Sequence, residues 1–375
     1  MITYTTGTPT EYDDLLDFGN YVFKIDFKAL LPKLYDHQEH LAPYHFIAKE
    51  GNRIKAMVGC FPLDLNVGTH HLKGMGIGTV SVHPYSRRQG FMKHLMTNAL
   101  DFMQAEQADF AILSGQRQRY EYFGFAPTGV MMRFVVDQVN LAHKSITHTD
   151  SFTLRPFDDL TSLELQHISK WHHSKLLFSS RPLENFITIC KTWQAQPFAF
   201  YQDGVLKGYI IIADTNVLDF YIEETSLLGP LLSLTLSQQN LGGLSLSVGP
   251  HDQDLITYLM DFAENYSIST ATHLNILNYE TFIRTFLALK SSYTSLEKGR
   301  LILEIKDVAT LLIEIGEQIQ VTPTDQAPHI SLSHLEATHF LCDPMRFIPE
   351  ELRDLTALIY SWFPLPFSFC SIDNV

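Results

Sequence analysis

The run Thr79-Val80-Ser81-Val82-His83-Pro84-Tyr85-Ser86-Arg87-Arg88-Gln89-Gly90-Phe91-Met92 sets a basic turn between a β-branched strand and a helix. Pro84 stops regular strand pairing because it has no ladder donor. Backbone N–H groups at a helix start are unpaired and carry the positive end of the dipole, so they suit a pyrophosphate. Arg87 and Arg88 add fixed positive charge beside them. Gly90 lets the backbone approach a phosphate with no Cβ in the way. Without further context the same residues are a solvated basic turn before an amphipathic helix. A second run, Ser114-Gly115-Gln116-Arg117-Gln118-Arg119-Tyr120-Glu121-Tyr122-Phe123-Gly124-Phe125, holds two phenols. A phenol with its ordinary pKa of about 10 is a proton donor at neutral pH. Either ring could equally serve only to pack on a sheet.

The elements around these runs follow a definite order. Ile2–Thr5 reads as a strand, followed by helices near Thr10–Tyr21 and Phe27–Leu34. Strands fit His45–Lys49, Ile54–Val67 with a break at Pro62, and Leu72–Val82. A helix fits Gly90–Gln107, where Phe91, Leu95, Leu100 and Phe102 recur near the helical period. Short strands fit Phe110–Leu113 and Thr128–Val136, the second after the turn residues Gly124 and Pro127. The order is βααβββαββ, a mixed α/β layer. The basic turn thus follows a strand and opens a helix, the context in which an anion site is expected.

In that order the basic turn resembles motif A of the GNAT acetyltransferases, Q/R-x-x-G-x-G/A. Arg87 and Gly90 match it, and Met92 departs from the final Gly/Ala. A double Arg followed by Gly and two bulky apolar residues is similar to the enhanced-intracellular-survival (Eis-type) branch. The resemblance implies acetyl-CoA as co-substrate, bound by the strand backbone at Val80, Ser81 and Val82. It implies a diphosphate held by the turn Arg87, Arg88, Gln89, Gly90, Phe91, Met92 and Lys93. The strand Phe110–Leu113 should splay from its neighbour so that the pantetheine arm lies in the gap, beside Ser114 and Gly115. Tyr120-x-x-Phe123-Gly124-Phe125 resembles the Eis-type Tyr-x-x-Phe-Gly-Tyr pattern, which implies Tyr120 as the general acid for the departing thiolate. No His or Glu in this segment is marked as a base for the acceptor amine. The resemblance implies the free C-terminal carboxylate, here Val375, beyond the tail Phe363-Pro364-Leu365-Pro366-Phe367-Ser368-Phe369. The chain ends in Ile372-Asp373-Asn374-Val375 where the family has an aromatic residue.

The rest of the chain repeats the theme loosely. After the polar link His143–Ser151 come helices near Leu160–Lys175 and Pro182–Trp193, and strands at Phe198–Tyr201, Gly208–Ala213 and Val217–Ile222. A helix near Ser226–Ser237, a strand Leu244–Val248 and a helix Asp252–Glu264 follow. The turn equivalent to the basic one is Glu223-Glu224-Thr225-Ser226-Leu227-Leu228-Gly229-Pro230, whose carboxylates oppose an anion. A degenerate GNAT-like unit without cofactor is expected over 146–280, after a catalytic domain over 1–145. In 281–375, strands at Arg300–Lys306 and Glu317–Val321 and a helix Pro349–Trp362 suit an α+β unit, which by resemblance is sterol-carrier-like. The fold class expected is therefore α/β (α+β), tandem GNAT-like domains plus a sterol-carrier-like C-terminal domain.

Composition narrows the partners. A chain of 375 residues, 45% hydrophobic and 18% charged, suits two or three soluble domains. Its net charge of −14 disfavours nucleic acid and anionic membranes and is compatible with a cationic amine. No apolar stretch reaches bilayer length, and the N-terminus lacks an export signal, so a cytoplasmic protein is expected. Cys60, Cys190, Cys342 and Cys370 have no paired spacing and read as reduced thiols. His70-His71 and His172-His173 lack zinc-type spacing, so no metal is expected. The acceptor is expected to be a primary amine of a small molecule or peptide. A protein-lysine acetyltransferase and a non-catalytic lipid-binding or interaction module are the alternatives. The turn Tyr35-Asp36-His37-Gln38-Glu39-His40 could line the acceptor side, and the resemblance implies a homo-oligomer as large as a hexamer.

Overall fold

The computed structural model describes residues 1–345 and 348–375. The first segment supplies β1 (Ile2–Thr6), β2 (His45–Glu50), β3 (Arg53–Val67), β4 (His70–Val82), β5 (Phe110–Leu113), β6 (Ala126–Thr128) and β7 (Met131–Asp137). The second supplies β8 (Phe152–Pro156), β9 (Leu177–Ser179), β10 (Gln196–Gln202), β11 (Val205–Ala213) and β12 (Asn216–Ile222). It continues through β13 (Gly243–Val248), β14 (Asn265–Ser269) and β15 (Thr272–Ile276). The third supplies β16 (Gly299–Ile305), β17 (Ala309–Ile315), β18 (Ile319–Pro323) and β19 (Ile330–Leu332).

These strands form three mixed sheets flanked by helices. The first is eight-stranded in the order β1-β2-β3-β4-β5-β15-β6, with β9 paired to β3. The second is seven-stranded, β14-β7-β13-β12-β11-β10-β8, and the third four-stranded, β18-β17-β16-β19. The architecture is the mixed α/β class read from the sequence. Three strands lie outside the sheet of their own segment, β9 on β3 among them. β7 pairs with β13 and β14 in the second sheet, and β15 pairs with β5 and β6 in the first. The strand expected over Thr128–Val136 is accordingly two strands. Gly129, at φ 88°, turns the chain between them, and a Cβ there would lie 2.8 Å from Ala271 on the returning crossover. Ala271 N–H donates to Thr128 O, so the two crossovers run side by side.

No break occurs at Pro62. Pairing of β3 with β2 ends at Gly59 opposite His45, while pairing with β4 continues through Pro62 opposite Met75. A proline is tolerated there because one side of the strand has no neighbour to supply with a donor. From Phe61 to Val67 the side chains alternate, with Phe61, Leu63, Leu65 and Val67 buried. The helix expected over Phe27–Leu34 is two short turns, Phe27–Leu30 and Pro32–Tyr35, since Pro32 starts the second.

The helix Phe91–Ala105 lays Phe91, Leu95, Met96, Ala99 and Met103 on the first sheet. Beneath that sheet, the helix Tyr279–Ser291 and the third sheet share one core with Leu63, Leu65, Val67, Leu72 and Phe110. Tail residues Phe363, Leu365, Phe367 and Phe369 are buried in this core. Each contributes roughly 1.5–3 kcal/mol by leaving water, so the tail is an anchored element. The third segment keeps the expected strands as β16 and β18. Its helix Thr356–Trp362 is preceded by the 3-10 turn Glu350–Leu355.

Candidate active site

β4 and β5 run parallel, and their register ends at Ile77 opposite Leu113. Beyond that point β4 is also irregular toward β3. Gly78 faces Gly59 and Ser81 faces Met57, so Thr79 and Val80 together oppose Val58. Thr79 has φ 47°, which marks a bulge. A bulge leaves a backbone group outside the ladder and aims the strand away from its neighbour. The opening therefore lies between Gly78–Val82 and Ser114–Gln116. Ser81 is buried, and its Oγ has no hydrogen-bond partner among the described residues.

At the top of this opening the chain makes a 3-10 turn, Pro84–Ser86, and then starts the helix at Phe91. Arg88 has φ 66° and Gly90, the N-cap residue, φ 81°. The left-handed conformation at Gly90 is the one glycine adopts at little cost. Arg87, Arg88, Gln89 and Lys93 are exposed, while Phe91 is buried and Met92 packs beside it. The start of a 15-residue helix, two exposed arginines and a cap without a side chain fit a diphosphate.

The two tyrosines are separated by burial. Tyr122 is 65% exposed, with Lys93 Nζ 4.9 Å over its ring. Tyr120 is 6% exposed and lies against Gly115, where a Cβ would stand 2.5 Å from the ring. Burial raises the Tyr120 phenol above its usual range, and the Arg119 guanidinium partly opposes this. Tyr120 therefore stays protonated throughout the neutral range.

The chain terminus reaches the same opening. A Cβ on Gly78 would lie 3.0 Å from the terminal carbon of Val375, and one on Gly76 would lie 2.5 Å from the Val375 side chain. Gly76 and Gly78 thus leave the space that Val375 occupies. Thr79 next to them is joined to Tyr35 and His45: the Tyr35 hydroxyl donates to Thr79 Oγ1 at 3.1 Å and is 3.0 Å from His45 Nε2. Burial pushes His45 down to about 4, so the imidazole is neutral. Of the Tyr35–His40 turn, Tyr35 and Gln38 are buried, whereas His37, Glu39 and His40 are exposed. Sequence reasoning did not identify Gly76, Gly78, Thr79 or His45. A signal existed in Gly74-Met75-Gly76-Ile77-Gly78, where glycine alternates with a large residue inside a strand, a mark of close approach.

In the second sheet the equivalent opening differs. β12 and β13 pair only at Asn216 opposite Ser245 and Val217 opposite Leu246. The turn that follows holds Glu223, paired to Lys207 at 3.0 Å. A Cβ on Gly229 at the following helix would stand 2.6 Å from Ile146 and 2.9 Å from the Tyr258 hydroxyl, so that helix start is covered. Among the described residues no group of three or more His, Cys, Asp or Glu could hold a metal ion, and no helix is long and apolar enough to cross a membrane.

Residues 3–128 match the family described as acetyltransferase (GNAT) domain. No match is found among curated protein sequences. Several solved structures share the architecture of the whole chain. A GCN5-related N-acetyltransferase from Anabaena variabilis superposes with a TM-score of 0.69 at 12% identity, covering 100% of each chain. One from Kribbella flavida gives 0.67 at 13%, covering 98% of each. Eis1 from Mycobacterium abscessus gives 0.66 at 13%, covering 98% of this chain and 99% of its own. At such identities the likeness is one of fold.

Proposed function

We propose that this chain, which carries a GNAT N-acetyltransferase domain over residues 3–128, moves the acetyl group of acetyl-CoA to a primary amine of a small molecule or peptide by direct attack. The observation that carries this reading is that two candidate groups flank the parting of β4 and β5. The buried Tyr120 phenol flanks it on the β5 side at Gly115, and the Val375 terminus flanks it on the β4 side at Gly76 and Gly78.

In this reading the turn Arg87–Lys93 holds the diphosphate, and the opening beside Val80–Val82, Ser114 and Gly115 takes the pantetheine arm. The Val375 carboxylate removes a proton from the arriving ammonium or from the attacking amine. The amine nitrogen then forms the C–N bond at the thioester carbon, and collapse breaks the C–S bond. Tyr120 gives its proton to the departing sulfur, and solvent restores it. A phenol kept neutral by burial is ready for that donation at each turnover.

The test is turnover over a panel of amines, by the chain as it stands and by one extended at its C-terminus so that the Val375 carboxylate becomes an amide. The extended chain should stay folded and bind acetyl-CoA, yet lose most turnover. Full activity in the extended chain would rule out Val375 as the base. No acetyl transfer to any amine by the unextended chain would overturn the reaction itself.

A further inference from the structure

Arg181 is among the largest wholly buried side chains, with no exposed side-chain surface. Its Nε and Nη2 donate to the two carboxylate oxygens of Asp373, each at 2.9 Å. Its Nη1 donates to Asp219 Oδ2 at 2.6 Å. Asp219 in turn takes Lys175 Nζ at 2.5 Å and the Tyr209 hydroxyl at 3.3 Å, with His172 Nδ1 at 3.6 Å. Arg181 and the two carboxylates are thus buried together, with Lys175 partly exposed at their edge. Arg181 stands two residues beyond β9, which pairs with β3 of the first sheet, while Asp219 lies in β12 of the second. The cluster joins both sheets to the chain end.

The tail is held at Cys370, Ile372 and Asp373 before its last two residues. Cys370 Sγ donates to Leu218 O at 3.1 Å, and Ile372 is fully buried in the core of the second unit. Lys33 Nζ, from the first unit, donates to Ile372 O at 2.9 Å. Asp373 is then clamped by the Arg181 fork. Two residues span at most about 7 Å, so the position of Asp373 fixes where the Val375 terminus can lie. Ser368–Ser371 also line a cavity of about 940 Å³ beside β12 and β13, the strands that part after two pairs. The second sheet has carboxylates where an anion would arrive, but its parted strands receive the tail.

Replacing a buried ion cluster with apolar side chains is often neutral for stability, whereas a bidentate fork fixes geometry. We propose that Arg181, oriented by Asp219, is a positioning residue that sets the Val375 carboxylate through Asp373, and that the second sheet is the tail's holder. This rests on the reading of Val375 as the base. Ile372 supplies the apolar anchor of the tail and Asp373 the directional one.

The experiment compares Asp373→Asn and Arg181→Lys with the unmodified chain. Readouts are kcat against pH, acetyl-CoA Kd by calorimetry, and release of Val375 by a carboxypeptidase. A displaced base costs on the order of 10²-fold in kcat at neutral pH. The loss should shrink as pH rises, because the acceptor amine then sheds its proton unaided. Acetyl-CoA Kd should be unchanged and Val375 released faster. Asp373→Glu keeps the charge and moves the fork by one bond, so it serves if Asp373→Asn does not fold and should show the same pH-dependent loss in milder form. Wild-type kcat, pH profile and trimming rate in the folded variants would overturn the positioning role. A uniform loss at all pH values, with weakened acetyl-CoA binding, would show a structural role instead. The chain with its terminus amidated separates the two readings. If it is fully active, the base assignment falls. If it is inactive while Asp373→Asn and Arg181→Lys behave as wild type, only the positioning proposal falls.

Discussion

The terminal carbon of Val375 stands 3.0 Å from where a side chain on Gly78 would begin. Gly78 does not have positive φ, so its backbone accepts alanine, and the nearest atoms a Cβ would meet belong to Val375. Gly78→Ala should therefore push the terminus off β4 without unfolding the sheet. Misplacement of a reacting group by about 1 Å costs up to about 10²-fold. We expect kcat to fall by about 10- to 10²-fold, with melting temperature and acetyl-CoA affinity preserved. Unaltered kcat in a folded Gly78→Ala protein would mean that the terminus takes no part in turnover.

Tyr120 and Tyr122 give a paired test. Tyr120→Phe keeps the ring against Gly115 and removes the donor, so turnover should drop by about 10²–10⁴ while acetyl-CoA still binds. Tyr122→Phe, on an exposed ring, should leave turnover near wild type. Steady-state rates on both variants decide it, and a loss confined to Tyr122→Phe would move the acid by two residues.

How far this site could be read beforehand follows from how local its parts are. The basic turn is contiguous, since the strand end, Arg87, Arg88, Gly90 and the helix lie within one run, and the strand and the helix stand on either side of it. The Val375 terminus is the opposite case. It meets β4 nearly three hundred residues away in sequence, through contacts that no periodicity encodes. The strand exchange was also hidden, because Met131–Asp137 alternates as a strand would in either sheet. What decides its sheet is the φ 88° turn at Gly129 and pairing to a segment more than a hundred residues later. Asp219 and Asp373 lie 154 positions apart in the sequence, and only packing shows that one arginine joins them.

Arg87, Arg88 and Lys93, proposed to hold a diphosphate, are exposed, so water and salt reach their charges. Charge-assisted contacts contribute about 1.5–3 kcal/mol each, less where water and salt screen them. The double substitution Arg87→Ala with Arg88→Ala should weaken acetyl-CoA binding, and the difference from wild type should narrow as salt rises. Calorimetry at low and high salt checks both points. Equal affinity of the two proteins at low salt would remove the turn from the cofactor site.

His45 gives a prediction about acid stability. Burial is the main cause that lowers it to about 4, while the Ala42 and Leu41 carbonyls oppose the shift. An unfolded histidine takes a proton near pH 6.5. Between about 6.5 and about 4 the unfolded chain therefore binds a proton that the folded chain refuses. Stability is fully present above 6.5, falls as pH drops through that window and levels off below 4. At pH 5 the loss from this one group is on the order of 2 kcal/mol. His172, His251, His273 and His334 are also lowered by burial, so the wild-type slope is a sum. A difference measurement isolates His45. His45→Gln keeps a donor and an acceptor for Tyr35 and Ala42 but does not titrate. Urea unfolding at pH 7.5 and pH 5 should show the wild type losing about 2 kcal/mol more than the variant over that interval. Equal losses would mean that His45 is protonated alike in the folded and unfolded chain, and the neutral imidazole beside Tyr35 would have to be abandoned.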